Sequence, residues 1–214
     1  NNGPVCEDEM LIVSTDNVAG ASYSWTLNGS PISELSNTLA VSNASLSDAG
    51  EYGVVVTVNG CYSEMGTSIV VVNEIPATPI VANNGPLCEG DDLFLNTDEV
   101  SGATYTWTLD GSPLAFTTNT PNISNATLSD AGVYGVVVTV NGCASEMGTT
   151  TVVINEIPST PVVSNNGPLC EDEAIQITTD NVSGADNQQG SPLNIFVFMT
   201  PQRLHARLLI LIRG

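Results

Sequence analysis

The side chains in this chain that could do chemistry are five cysteines, 23 carboxylates, two tryptophans and many hydroxyls. Bases are nearly absent. There is no lysine, and Arg203, Arg207, Arg213 and the sole histidine, His205, all lie in the last dozen residues. A Ser-His-Asp triad cannot be assembled where no imidazole exists. Neighbouring carboxylates such as Asp91-Asp92 are of the right type for acid–base work, but in a turn-like run they read as solvated groups. Trp25 and Trp107 could stack on sugars, yet each stands in an alternating apolar/polar segment, the pattern of a core strand. No Cys-x-x-Cys occurs, so a zinc site is not expected. Gly-Pro turns here lack any phosphate-loop spacing. The chain is therefore read as non-enzymatic, with no catalytic residues.

The acids carry a second message. Residues 1–202 hold all 23 of them and no base, and the net charge is −20. Nothing there can neutralise phosphates, which excludes a nucleic-acid partner. Attraction to an anionic membrane surface is excluded on the same ground. Apolar runs of about five residues fall far short of the roughly 20 a spanning helix needs, so membrane insertion is not expected. A composition of 42% hydrophobic residues, rich in Val, Ile and Thr, is that of a packed domain. The chain begins at Asn1 without a signal peptide, and is read as part of a longer or processed protein.

A repeat organises these residues. Asn1-Asn2-Gly3-Pro4 returns as Asn83-Asn84-Gly85-Pro86 and as Asn165-Asn166-Gly167-Pro168, a period of 82. Residues 1–82 and 83–164 align without a gap, with 53 of 82 positions identical. The third copy keeps register to Ala185. Each repeat reads as short strands separated by turns. Leu11 and Val13, Leu93 and Leu95, and Ile175 and Ile177 mark one buried face. Tyr23, Trp25 and Leu27 alternate with polar residues, as do Tyr52, Val54, Val56 and Val58 with Gly53, Val55 and Thr57. Asn59-Gly60 is a strong hairpin signal. Val70 and Val72 close the module. Pro76 and Pro79 mark a semi-rigid linker, repeated from Asn155 to Pro161. The domains expected are 1–75, 76–157, a truncated repeat at 158–185 and a non-repeat tail at 186–214.

About seven short strands per repeat around one Trp suggest a two-sheet sandwich. Asp48-Ala49-Gly50-Glu51-Tyr52 and Asp130-Ala131-Gly132-Val133-Tyr134 resemble the Asp-x-Gly-x-Tyr corner of immunoglobulin-like domains. The usual Cys two residues after that Tyr is Val54 here. The pattern is closer to bacterial Ig-like repeats of secreted and cell-surface proteins, including adhesins of gliding Bacteroidetes-type bacteria. It resembles them in Gly-Pro-Leu-Cys-Glu-Gly (85–90), Gly-Ala-Thr-Tyr-Thr-Trp (102–107) and Tyr-x6-Asn-Gly-Cys (134–143). The resemblance covers residues 1 to about 185. It implies an all-β fold of tandem immunoglobulin-like β-sandwiches, two complete and one truncated. It makes Asp48, Gly50, Tyr52, Asp130, Gly132 and Tyr134 structural corner residues.

The resemblance to secreted modules also implies disulfides and an oxidising compartment. Cys6 and Cys61, and Cys88 and Cys143, are 55 residues apart in each repeat. Cys170 stands where a third pair would begin. The first expectation is Cys6–Cys61 with Cys88–Cys143. A physical objection favours Cys6–Cys143 instead: in simple Ig topology the two cysteines of one repeat lie at opposite ends of the sandwich. A seven-residue strand spans about 23 Å, whereas a disulfide holds its Cα atoms within about 7 Å. Free thiols are the third possibility.

Glu7, Asp8, Glu9 and Asp48 are expected at the lower end of the first module. Glu74 falls in the linker, and Asp98 and Glu99 at the upper end of the second. Their convergence would suit calcium; the plainer reading is a solubilising acidic surface. Positions 32–36 and 39–41 differ from 114–118 and 121–123, whereas 52–61 and 134–143 are identical. The variable stretch reads as an edge with its loops, either a recognition edge or a tolerant surface. The third repeat supplies only the first strands of a sandwich and is not expected to fold alone. The tail from Asp186 reads as a frameshifted or mis-assembled gene end.

The functional expectation is an extracellular adhesive array that doubles as a semi-rigid stalk on a bacterial surface. Its partners would be neighbouring repeats and a cell-surface glycan or protein. The alternative is a set of polysaccharide-binding accessory modules of a secreted hydrolase.

Overall fold

Strand-forming periodicity and turn residues do produce an all-β molecule. The computed structural model describes residues 1–168, 170, 175–179 and 195–197. Residues Asn1–Asn155 form one compact unit and those from Glu156 a second. The first repeat contributes β1 (Val5–Cys6), β2 (Leu11–Ser14), β3 (Ala21–Leu27), β4 (Ser30–Ile32), β5 (Thr38–Val41), β6 (Gly50–Val58), β7 (Cys61–Tyr62), β8 (Gly66–Val70) and β9 (Val72–Asn73). One sheet runs β4-β3-β6, with β7 and β8 both on the far side of β6. The other layer pairs β2 with β5, while β1 runs parallel to β9 at Val5↔Val72 and Cys6↔Asn73.

Local chemistry explains the turns. Leu27 pairs with Ser30 across Asn28-Gly29, and Val58 with Cys61 across Asn59-Gly60. All four turn residues have positive φ, from 49° to 81°. That is the hairpin geometry Asn-Gly favours, because Asn tolerates and Gly prefers the left-handed region. The Asn28-Gly29 hairpin carries the same signal as the one read from the sequence.

The second repeat repeats the plan. Its strands are β10 (Ala82–Asn83), β11 (Leu87–Cys88), β12 (Leu93–Asn96), β13 (Thr104–Leu109), β14 (Ser112–Pro113), β15 (Asn122–Ile123), β16 (Gly132–Val140), β17 (Cys143–Ala144), β18 (Gly148–Val152) and β19 (Ile154–Asn155). Each repeat has its own core. Leu11, Val13, Tyr23, Trp25, Tyr52 and Val70 cluster in the first; Leu93, Leu95, Tyr105, Trp107, Tyr134 and Val152 do so in the second. The alternate residue Phe94 is exposed, as the period of two requires.

The variable positions fall partly on paired strands. Ile32 ends β4, and 39–41 lie in β5, which pairs with β2. The loop between them still has a structural task. Trp25 Nε1 donates to the Ser36 carbonyl at 2.8 Å, and Trp107 Nε1 to the Thr118 carbonyl at 2.9 Å. Both acceptors are backbone atoms, so the side chains there can change without loss of the bond.

In the second repeat Thr97 is buried, and its hydroxyl has no hydrogen-bond partner. A buried hydroxyl without a partner costs about 1–3 kcal/mol. Thr97→Val keeps the shape and removes the unmet group. It should raise stability by about 1 kcal/mol in urea melts; a loss would mean that the hydroxyl is satisfied in solution.

Beyond Asn155, β20 (Val163–Asn165), β21 (Ile175–Thr179) and β22 (Ile195–Val197) form a three-stranded antiparallel sheet. β20 and β21 stand one period on from β10 and β12. β22 lies within the expected tail, where no strand was expected. Its three residues pair with β21, at Ile175↔Val197, Gln176↔Phe196 and Ile177↔Ile195. In the second repeat β15 pairs with β12 on the corresponding side. β-branched and aromatic residues favour an extended edge even outside the repeat register. The rest of the expected tail lies outside the described residues. Among the described residues no helix is long and apolar enough to cross a membrane.

Candidate functional site

The joint between the two sandwiches holds the one covalent cross-link among the described residues. It is built from two halves. The lower half is β1, whose register on β9 sets Cys6 beside Asn73, at the point where the chain leaves the first module. The Glu9 carboxylate accepts from the Cys6 amide at 2.8 Å and closes the turn behind it. The upper half is the Asn141-Gly142 hairpin of the second module, which leads directly into Cys143. Cys6 and Cys143 are joined in a disulfide, with Cα atoms 5.6 Å apart.

The link is therefore between repeats, and the expected pairs Cys6–Cys61 and Cys88–Cys143 do not form. Strand length is the reason. Cys61 lies across from Val58 at one end of β6. Gly50, at the other end of that strand, pairs with Val70, and Cys6 lies still further on, opposite Asn73. Eight steps of about 3.3 Å separate the ends, more than three times a disulfide's reach. Cys61 and Cys88 are exposed free thiols.

Polar and steric contacts complete the joint. Asn73 Nδ2 donates to the Asn141 carbonyl at 3.3 Å across the boundary. The linker passes over β18 so closely that a Cβ on Gly148 would overlap the Pro79 carbonyl. Cys143 and Ser145 are buried.

The corner residues brace each module. Tyr52 donates its hydroxyl to the Asp48 carbonyl and Tyr134 to the Asp130 carbonyl, each at 2.9 Å. The Asp48 carboxylate accepts from the Ser45 amide and hydroxyl, and Asp130 does the same at Thr127. Gly50 and Gly132 have φ of 147° and 154°. A side chain there would also strike Asn28 or Asp110. Those two residues accept from the Glu51 and Val133 amides. A second tyrosine brace was not read from the sequence. Tyr23 bonds the Asp16 carbonyl and the Val18 amide, and Tyr105 bonds Asp98 and Val100 likewise. Its signal was a Tyr placed seven residues after an Asp in both repeats.

Burial, with the Asp130 and Asp110 carboxylates adding to it, pushes the Tyr134 hydroxyl up to about 12. Burial and then Asp48 raise Tyr52 in the same direction. A phenol whose folded value exceeds its unfolded value near 10 favours the fold fully below that pH. The contribution is lost as pH rises from about 10 to about 12, because the unfolded chain ionises first. Alkaline titration should lower the stability of the protein across that window, and Tyr134→Phe should be less sensitive there. An unchanged profile in the variant would place the sensitivity elsewhere.

The seven carboxylates proposed for calcium do not make a ligand set. Among the described residues no group of three or more His, Cys, Asp or Glu is gathered to hold a metal. Glu9 and Asp48 are used in their own turns. Asp8, Glu74, Asp98 and Glu99 are exposed and Glu7 is half-buried, with its amide on the Asn73 carbonyl. Melts in chelator and in millimolar calcium at matched ionic strength should coincide; a rise with calcium but not magnesium would restore a specific site.

No protein-family model and no curated protein sequence matches the chain. Solved structures do. A chain from the complex of a mouse coronavirus receptor-binding domain with its murine receptor is 16% identical, with a TM-score of 0.50. The match covers 71% of this chain and 96% of that one. Murine CEACAM1b is 16% identical at a TM-score of 0.44, over 71% of this chain and 96% of its own. A marsupial T cell receptor is 15% identical at 0.49, over 85% and 80%. The fold is immunoglobulin-like, in tandem β-sandwiches.

Proposed function

We propose that this protein is an extracellular segment of a bacterial surface array, in which disulfide-locked Ig-like modules act as a semi-rigid stalk and present adhesive surfaces. The observation that carries the reading is the Cys6–Cys143 bond across the module boundary. A cross-link at that place limits bending at the joint, which a catalytic module has no evident need of. A cystine also suits an oxidising, extracellular setting. Repetition of one module supports a role that depends on length and on several weak contacts in series. We infer no catalysis. No imidazole or ammonium side chain lies within residues 1–202 to serve as a base or nucleophile. The two indole rings are packed inside their sandwiches, so they offer no sugar-stacking platform to the accessory-module reading.

The test has two arms. Small-angle scattering of the chain, with and without reductant, should give a longer and stiffer particle when oxidised. Beads coated with the chain should bind cells or a glycan array in a density-dependent way. Equal dimensions in both redox states would remove the stalk. Binding of one soluble polysaccharide, independent of density, would favour the accessory module.

A further inference from the structure

The two repeats share one plan and 53 of 82 residues, yet the upper faces of their sandwiches differ in what covers them. In the second repeat Cys143, Ser145, Gly148 and Val138 are buried. Their counterparts in the first are Cys61, Ser63, Gly66 and Val56, the same residue types. Cys61, Ser63 and Gly66 are exposed, and Val56 is only half-buried. The difference is what lies against each. Cys143 is bonded to Cys6, and Gly148 lies under Pro79. A Cβ on Gly66 would meet only Val54, at 3.9 Å. The hairpin leading into each cysteine is also the same, with Asn59 and Asn141 at φ of 49° and 51°.

We propose that the upper face of the first module is a docking site for the base and linker of another copy of the same module, completed by a disulfide from that copy's sixth residue to Cys61. The joint already present is the template. It consists of a Cys on the β1 strand, an Asn at the end of β9 whose amide crosses the boundary, and a linker proline over a glycine. All three belong to the module's own sequence. By the same rule Cys88, paired in register with Asn155, presents the lower half again. There Asn155 Nδ2 turns back to the Leu87 carbonyl at 3.3 Å, whereas Asn73 reaches out to Asn141. The inference stands on the joint and not on what the array binds.

Bond formation needs an oxidant, and a small-molecule disulfide supplies it. One protein thiolate attacks that disulfide and releases one small thiol. The second protein thiolate then attacks the mixed disulfide and releases the other. One protein S–S bond forms, the small disulfide is reduced to two thiols, and these take up the two protons.

The test extends the full chain by one extra copy of residues 1–82 placed before Asn1. After exchange with oxidised glutathione, peptide mapping should recover the added copy's sixth residue bonded to Cys61, with Cys6–Cys143 retained. Cys61 alkylation should fall at least about tenfold from its rate in the unextended chain, as burial in a bonded joint requires. Gly66→Ala distinguishes docking from tethering. In the unextended chain it should not lower the melt, since an added Cβ would make only an ordinary contact with Val54 at 3.9 Å. In the extended chain it should slow the new bond about tenfold, because the linker proline would meet the added methyl. Cys61 that remains fully alkylatable in the extended chain, or that bonds to any other cysteine, overturns the proposal. Equal bonding rates with and without Gly66→Ala would overturn the docking face and leave only a tethered thiol.

Discussion

Replacing Cys6 or Cys143 by serine should lower the stability of residues 1–155 by about 3–5 kcal/mol. The bond spans a sequence separation of 137. In the chain-entropy account a loop of that order removes close to 5 kcal/mol of freedom from the unfolded chain. The cross-link also couples two cores that share no residues. While one sandwich remains folded, the bond and the linker together close a loop around the other, so neither can unfold without restraint. Oxidised protein should therefore melt as one transition, and the serine variants as two. Urea melts followed by tryptophan fluorescence measure this, with Cys61 and Cys88 alkylated beforehand to prevent exchange. Peptide mapping of the oxidised chain should find Cys6 joined to Cys143. An unchanged midpoint, or a Cys6–Cys61 peptide, would refute the cross-repeat joint.

Features set by near neighbours in the chain were legible. The Tyr23, Trp25 and Leu27 alternation placed one face of β3, and Asn59-Gly60 placed a hairpin, because each depends on a few adjacent residues. The Asp48 to Tyr52 corner was legible for the same reason: its bonds span four residues. The disulfide was legible only as the alternative that strand length favoured, Cys6–Cys143, and not as the first expectation. Equal spacing of 55 made each repeat look self-sufficient, although strand length already argued against a bond within it. Which cysteine meets Cys6 depends on how modules stack, and that is a property of linker and face together. The carboxylates turn on a finer scale, and among the described residues no three of them are gathered to hold a metal. An expected end of a module follows from topology, but metal ligation is decided by side-chain geometry that topology does not set. β22 was missed because composition was weighed by its lack of period, whereas an unpaired sheet edge accepts any extended apolar segment.

The second large effect concerns the tryptophans. Trp107 is wholly buried and Trp25 is 2% exposed. Each faces the core from the middle of its sheet, in register with Val136 and Val54 respectively. Trp25→Ala and Trp107→Ala should each cost about 3–5 kcal/mol, the range for emptying a large aromatic site that closes only in part. Part of that loss is polar. Removing the indole leaves the Ser36 or Thr118 carbonyl without its donor. Phe in place of Trp keeps most of the packing and should cost less, about 1–2 kcal/mol, mainly for the lost bond. Because the two cores are separate, the losses should add within about 0.5 kcal/mol in protein with the joint reduced. In oxidised protein they should fall short of additive, since the cross-link ties the two transitions together. Denaturant melts of the single and double variants in both redox states measure all of this. A loss under about 1 kcal/mol for either Ala variant would mean that the ring does not hold its two sheets together. The indole would then be free for another task, and sugar stacking would be the first to test.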